Sequence, residues 1–190
     1  VSFMRPSGQQ TQSQNIFKAV SEIKSQVDFV RSTVQECVLI YPGGDANAIG
    51  DSDANEPTHP YPLRPASSYF DSNCGPGTSA ANNNVANLMC PGNPGDDPCH
   101  EKIFGGSSGK FMPAAPKLFS NWQWYNGPDG VFLWIATTKT DPYIDAVLEK
   151  LDEGFGTCEA DVIDATSGGA EDLDNNSVTA CASGERCFRV

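Results

Sequence analysis

The side chains best suited to chemistry lie in an acidic segment near the C-terminus, where residues 170–177 read AEDLDNNS. Oxygen-bearing side chains recur along this segment as they do in calcium-binding loops. The candidate ligands are Glu171, Asp172, Asp174 and Asn176. The terminal bidentate Glu of an EF-hand is missing, so the segment is not an EF-hand loop. Two interpretations stay open: a Ca²⁺ site, and a solvated acidic turn that requires no cofactor.

Seven cysteines are the second group of reactive side chains, at Cys37, Cys74, Cys90, Cys99, Cys158, Cys181 and Cys187. No C-x-x-C pair occurs and only two histidines are present, so a zinc module of the Cys/His type is not supported. This cysteine content is typical of disulfide-bonded proteins from oxidising compartments. We therefore expect at least two disulfides, one of them in the C-terminal third, and an extracellular, cell-surface or periplasmic location.

The sequence does not fix how these cysteines pair. Because seven is an odd number, at least one thiol stays free or pairs outside the chain. Sequence order favours short loops, which would join Cys90 to Cys99, and Cys158 to Cys181 or Cys187. Other connectivities remain open.

Catalytic chemistry has little support in this sequence. Oxidised cysteines are poor nucleophiles, and no G-x-S-x-G elbow occurs. Trp122, Trp124 and Trp134 alternate along predicted strands, so some face the core and one could face solvent. Core packing is favoured over sugar stacking for these rings. We expect no catalytic residues.

Length and charge limit the domain organisation and the partners. A chain of 190 residues can bury one good core, so a single domain over 1–190 is expected. The net charge of −12 and the sequence pI near 4.4 disfavour binding to phosphate backbones. Nucleic acid is therefore excluded as an expected partner.

The most regular part of the chain is a hydrophobic stripe near the N-terminus. Its members recur at steps of three and four residues, at Ile16, Val20, Ile23, Val27, Val30, Val34 and Cys37. This period predicts one long helix over 14–40, about 40 Å in length, after a flexible lead over 1–13. The polar residues 9–15 are expected to project rather than pack.

The remainder of the chain predicts a loop region followed by a sheet. Residues 41–117 are dense in Asn, Asp, Gly and Pro, with at most a short helix over 80–89. Within 118–190 we expect a hairpin with strands over 122–125 and 131–137, followed by a second helix over 143–153. Two further short strands are expected over 159–163 and 180–190, and cysteines close this C-terminal segment. The predicted class is α+β, with the long N-terminal helix packed on an antiparallel sheet and a long disulfide-tied loop region.

This layout resembles the type IV pilins and type II secretion pseudopilins. The start of the chain, VSFMRPSGQQTQSQNIFKAVSEI, is similar to the point where the membrane half of the family's first helix meets its amphipathic half. The segment AVLEKLDEGFG, residues 146–156, resembles the helix-to-strand element of larger minor pseudopilins. The motif-level likeness covers about the first 40 residues, and the remainder rests on architecture.

The resemblance implies that the chain is the globular part of a filament subunit acting in assembly, adhesion or secretion. Other pilin-like subunits would be its partners, through the N-terminal helix. The family's apolar stretch is absent here, so about 20 apolar residues are expected to precede Val1 in a full-length form that is membrane-anchored before assembly. Some pseudopilins hold calcium in a loop late in the sheet, at a place like residues 170–177.

A second function class fits the same composition. A secreted, disulfide-bonded binding module, for example for glycans, would also be rich in cysteine and loops. A hydrophobic segment encoded upstream of Val1 would favour the filament subunit, and a cleavable signal peptide would favour the binding module.

Overall fold

The hydrophobic stripe near the N-terminus folds as one continuous helix, α1, over Gly8–Ile40. In this computed structural model the described residues are 8–44, 60–90, 101–105, 108–156, 158–175 and 179–190. The 33 residues of α1 span about 50 Å. The helix begins before the predicted residue 14, because glutamine-rich residues extend a helix readily once its packed part has formed. Among the described residues, no helix is both long and apolar enough to cross a membrane.

The described part of the loop region contains two short helical pieces. Helix α2 spans Ser68–Cys74, and the hydroxyl of Ser67 caps it by accepting a hydrogen bond from the Tyr69 N–H. No helix is predicted from the sequence at this place. The short helix expected over 80–89 is reduced to one 3-10 turn at Val85–Asn87, which begins at Asn84, whose side chain accepts from the Ala86 N–H.

Antiparallel strands make up the C-terminal half. They are β1 (Gln123–Gly127), β2 (Gly130–Thr137), β3 (Asp161–Asp164), β4 (Glu171–Asp172), β5 (Ala180–Cys181) and β6 (Arg186–Arg189). The main sheet has the order β1-β2-β6-β3, and β4 and β5 form a separate two-stranded ribbon. The α+β class and the hairpin are confirmed. The single strand expected over 180–190 is wrong, because a turn at residues 182–185 divides it into β5 and β6.

The helix predicted after the hairpin, α3, spans Pro142–Glu153 and lies against α1. Asp141 occupies the N-cap position without a side-chain capping hydrogen bond, and Pro142 lies in the first turn, where its missing N–H costs no hydrogen bond. Its buried side chains are Ile144, Val147, Leu148 and Leu151. The spacing of three and four residues therefore places one apolar face of α3 in the core.

The main sheet separates two hydrophobic clusters. On one face, α1 and α3 pack against Trp122, just before β1, and against sheet residues that include Trp124, Leu133, Ile135 and Phe188. The other face carries Tyr125 and Trp134, which pack with Leu173 and with the cysteines of β5 and β6. All three tryptophans are at most 9% exposed, so core packing is confirmed and none is a stacking platform for sugars.

One buried polar side chain joins three parts of the fold. Gln26 of α1 is only 4% exposed. Its amide donates to the carbonyl of Ala114 at 3.0 Å and accepts from the indole Nε1 of Trp122 at 2.8 Å. The amide is therefore satisfied on both sides and fixes the rotation of α1 relative to the sheet.

We expect Gln26→Met to lower the free energy of unfolding by about 1–3 kcal/mol, because it keeps the side-chain volume but leaves the buried indole N–H without its acceptor. Urea unfolding followed by tryptophan fluorescence measures the loss. The matched control is Gln35→Met, which makes the same change at an exposed position of the same helix, and a change below about 0.5 kcal/mol is expected for it. Equal losses for both variants would contradict a specific role for the buried amide.

Candidate functional site

The cysteine pairing differs from the short-loop expectation. Cys37, in the last turn of α1, bonds Cys90, and Cys181 bonds Cys187. The expectation of two disulfides with one in the C-terminal third is confirmed. The pairing of Cys90 with Cys99 is wrong, because Cys90 bonds Cys37 of α1. The pairing of Cys158 with Cys181 or Cys187 is also wrong, because those two cysteines bond each other.

The other cysteines have different environments. Cys158 is exposed and has a free thiol. Cys74 is half-buried at the end of α2, and Cys99 lies outside the described residues.

The acidic segment is partly ordered as a ribbon and turn. Glu171 and Asp172 form β4 and are exposed, whereas Asp174 is 1% exposed. Asp172 Oδ1 accepts a hydrogen bond from the Asp174 N–H at 2.9 Å, which closes a tight Asx turn. Asn176 lies outside the described residues. The three described carboxylates do not form a group with ligand atoms within 4.8 Å of one another, so Ca²⁺ binding would require side chains to turn inward.

A buried contact attaches this segment to the sheet. Leu173 is fully buried, and its carbonyl accepts from the guanidinium of Arg189 in β6. The same guanidinium holds both carboxylate oxygens of Asp161 in β3, with Nε to Oδ1 at 2.9 Å and Nη2 to Oδ2 at 2.5 Å. This bidentate geometry is the strong form of an ion pair. The backbone of the acidic segment is therefore fixed beside the sheet.

Helix α1 has two different environments along its length. Residues 8–15 are all exposed, and Ile16 is the first side chain of the helix that packs on the core. The phenol of Tyr143 on α3 donates to the carbonyl of Asn15 at 3.4 Å, which marks where α3 meets α1. Burial raises the pKa of Tyr143, with Glu22 and Asp141 adding to the effect, and this keeps the phenol protonated as a donor. The first two turns of α1 therefore extend from the body of the domain.

Two cations on the middle of α1 flank one aromatic ring. Lys24 Nζ donates to the carbonyl of Gly154 at 2.8 Å, at the end of α3. The Lys24 ammonium lies 5.1 Å from the ring centroid of Phe155, and the Arg31 guanidinium lies 5.8 Å from it. Contacts of this kind stabilise by about 0.5–1 kcal/mol at exposed sites. These contacts hold the segment between α3 and β3 against α1.

An ion pair completes this attachment. Arg31 binds the carboxylate of Glu159, which also accepts from the Gly156 N–H at 3.3 Å. The hydrogen bond from Arg31, followed by the one from the Gly156 N–H, lowers the pKa of Glu159 from its ordinary value of 4.5. The carboxylate therefore stays charged in its contact with α1 at neutral pH.

A groove of about 470 Å³ lies between α1 and the β1–β2 hairpin. Its lining includes Arg31 and Gln35 from α1, Tyr61 from the loop region, and Trp124 and Phe132 from the hairpin. Tyr61 is 39% exposed and Phe132 is half-buried. The sequence contains no signal for this groove, because its walls come from segments far apart along the chain. It is an open groove with both aromatic and polar side chains on its walls.

No family model, no curated protein and no solved structure matches this chain.

The two disulfides should differ in their effect on stability, because they close loops with separations of 53 and 6 residues. In the chain-entropy model, Cys37→Ala with Cys90→Ala lowers the free energy of unfolding by about 4 kcal/mol, and Cys181→Ala with Cys187→Ala by about 2 kcal/mol. Guanidinium unfolding without reductant measures both losses. A larger loss from the C-terminal pair would contradict this order.

Proposed function

We propose that this chain is the globular part of a type IV pilin-like or pseudopilin-like filament subunit, acting in assembly, adhesion or secretion. The observation that carries the proposal is the exposure of residues 8–15 at the start of a helix whose remainder packs on the sheet. In a filament, this projecting part would pack among the equivalent helices of neighbouring subunits. The loop-rich part of the domain would face outward.

The composition of the projecting turns supports a role at an interface. Residues 8–15 read GQQTQSQN and contain no charged side chain. A helical segment that is polar on every side has no hydrophobic face to bury against its own sheet. Uncharged amides and hydroxyls can be enclosed between helices at much lower cost than charges, because they can bond one another.

The disulfides and charge agree with an exported domain. Two disulfides fit an extracellular or periplasmic location. A net charge of −12 favours solubility of the outward surface and disfavours nucleic acid as a partner. Membrane anchoring of the full-length form before assembly belongs to the same proposal.

A second candidate function is a secreted binding module for glycans. The groove between α1 and the hairpin favours it, because Tyr61 offers an exposed aromatic ring beside the polar side chains of Arg31 and Gln35. Aromatic faces with adjacent hydrogen-bonding groups suit sugar rings. This alternative requires no neighbouring subunit and leaves the exposed turns of α1 without a role.

Immunogold electron microscopy of cells that express the complete natural gene product tests the filament proposal. We expect label along extracellular or periplasmic filaments. Gln12→Lys with Gln14→Lys should abolish the filaments, because two charges would become enclosed between helices. Both residues are exposed in the isolated domain, so the melting temperature of this domain should stay within about 2 °C of the original.

The matched control adds the same charge elsewhere on the exposed surface. Ser72→Lys with Ala81→Lys changes two exposed residues of the loop region and should leave filaments intact. Label found only on soluble secreted protein would overturn the filament proposal and favour the glycan-binding module. Equal behaviour of the two lysine pairs would contradict the role of the projecting turns.

We propose Ca²⁺ as a cofactor, bound by the acidic segment with Glu171, Asp172, Asp174 and Asn176 as candidate ligands. The support is that Asp174 is buried in a turn whose neighbour Leu173 is anchored to the sheet. A cation would neutralise carboxylates that otherwise repel one another at close range.

Saturating Ca²⁺ should stabilise the folded chain by about 2.7 kcal/mol at one hundred times Kd, which raises the melting temperature by several degrees. Scanning calorimetry with millimolar calcium or excess chelator measures this shift. Glu171→Gln with Asp172→Asn should abolish it while keeping the Asx turn. The control Asp152→Asn with Glu153→Gln removes two exposed acids of α3 and should retain it. Identical melting with calcium and chelator would refute the site.

A further inference from the structure

A second groove, of about 360 Å³, lies at the base of the projecting turns of α1. We call it the α1–α3 groove, because α1 forms one wall while residues 116–118 and Tyr143 of α3 form the other. Ala19, Leu118 and the ring of Tyr143 supply apolar surface. Pockets of roughly 300 Å³ or more hold small molecules, so this groove can hold one aromatic side chain. Asn15, the last residue of the projecting turns, also lines it.

Leu118 stands in the wall of this groove in a strained backbone conformation. Its φ is 76°, in the left-handed region that is unfavourable for leucine and that glycine adopts freely. Its carbonyl accepts a hydrogen bond from the Thr137 hydroxyl at 2.7 Å, which holds this backbone beside the end of β2. The side chain remains 40% exposed. Backbone strain is concentrated at binding and switch sites, so it points to a contact for the Leu118 side chain outside its own domain.

Helix α1 also carries an exposed aromatic side chain. Phe17 is 73% exposed and belongs to none of the hydrophobic clusters of the described residues. At about 100° per residue, it points roughly 100–160° away from the α1 residues that line the groove. Those residues are Asn15, Lys18, Ala19 and Glu22. Phe17 therefore cannot fill the groove of its own chain.

The charges around the two surfaces suit a contact between two copies of the chain. The neighbours of Phe17 on its own side of the helix, at positions 13, 14, 20 and 21, are all uncharged. That side can be enclosed without desolvating a charge. The groove carries Lys18 and Lys117 against the acid Glu22, in a chain whose net charge is −12. This local positive excess reduces the repulsion between two acidic copies at this place.

We propose that Phe17 of one copy inserts into the α1–α3 groove of a second copy, between Leu118 and Tyr143. The contact rests on the filament proposal and names the surface where the projecting part of α1 meets the next subunit. It joins two different surfaces, so a pair of copies still has one free Phe17 and one free groove. A heterologous contact of this kind repeats along an open chain unless its rotation closes a ring. The contact therefore suits the growth of a filament.

Analytical ultracentrifugation of the complete 190-residue chain tests this contact. The average mass should rise with concentration, with a Kd below about 1 mM. Phe17→Ala and Leu118→Gly should each weaken this association by about tenfold or more, because each removes one side of the contact. The control Phe111→Ala removes a phenylalanine that is 71% exposed and should leave association unchanged.

The stability of Leu118→Gly separates a lost contact from a lost fold. Glycine relieves the positive φ and offsets the lost side-chain packing, so the melting temperature should stay within about 2 °C of the original. Mixing the two variants then tests the geometry. Phe17→Ala keeps the groove and Leu118→Gly keeps Phe17, so the mixture should form one-to-one pairs and no longer chains.

Photo-crosslinking identifies the surface that Phe17 contacts. Benzoylphenylalanine in place of Phe17 should form crosslinks to peptides that contain Leu118 or Tyr143, between isotope-labelled and unlabelled chains. The same group in place of Phe111 should not reach those peptides. Crosslinks from position 17 only to other surfaces would overturn the proposal, as would an average mass that does not rise up to about 1 mM. An equal loss of association in Phe111→Ala would also overturn it.

Immunogold microscopy of cells that express the complete natural gene product separates this contact from the filament proposal. Wild-type numbers of filaments in both Phe17→Ala and Leu118→Gly would overturn the contact and leave the filament proposal standing. Label only on soluble protein, with association through Phe17 retained in solution, would overturn the filament proposal and support the contact as an interface of a soluble assembly.

Discussion

Burial of one hydrophobic stripe of α1 against an antiparallel sheet is the constraint on which the rest of the structure depends. Ile23, Val27 and Val30 are fully buried, and each such side chain contributes roughly 1.5–3 kcal/mol. Once this face is buried, the rotation of the helix is fixed, and only then can the amide of Gln26 reach its partners and Cys37 meet Cys90. The polar and covalent links are therefore consequences of the hydrophobic contact.

The same helix changes its environment along its length, and this change connects the fold to its proposed role. From Ile23 to Cys37 it is a core element of a small domain, whereas residues 8–15 are exposed and uncharged. Because α1 is one continuous helix, the packing of its C-terminal part on the sheet also sets the direction of its N-terminal part. In the proposed filament, the projecting turns would pack between identical copies of the chain.

The opposite face of the sheet gathers the polar chemistry of the chain. Arg189 joins Asp161 to the backbone of Leu173, and the Cys181–Cys187 bond lies in the same cluster as Trp134. The acidic segment and the cysteine turn therefore rest on one hydrophobic base. A rigid base would suit the proposed Ca²⁺ site, because a metal site is only as selective as the positions of its ligands are fixed.

The sequence by itself determined the long helix, the hairpin and the second helix, because period and turn composition are local signals that need no partner. It also determined that the tryptophans pack in the core and that disulfides form. Only the tertiary structure decided that Cys37 pairs with Cys90, because the two cysteines are 53 residues apart in sequence. They meet only when the last turn of the long helix α1 lies beside the loop region. The groove beside Tyr61 and the burial of Asp174 were likewise beyond the sequence. Each of these features depends on how the chain packs in three dimensions, and local sequence patterns do not specify that packing.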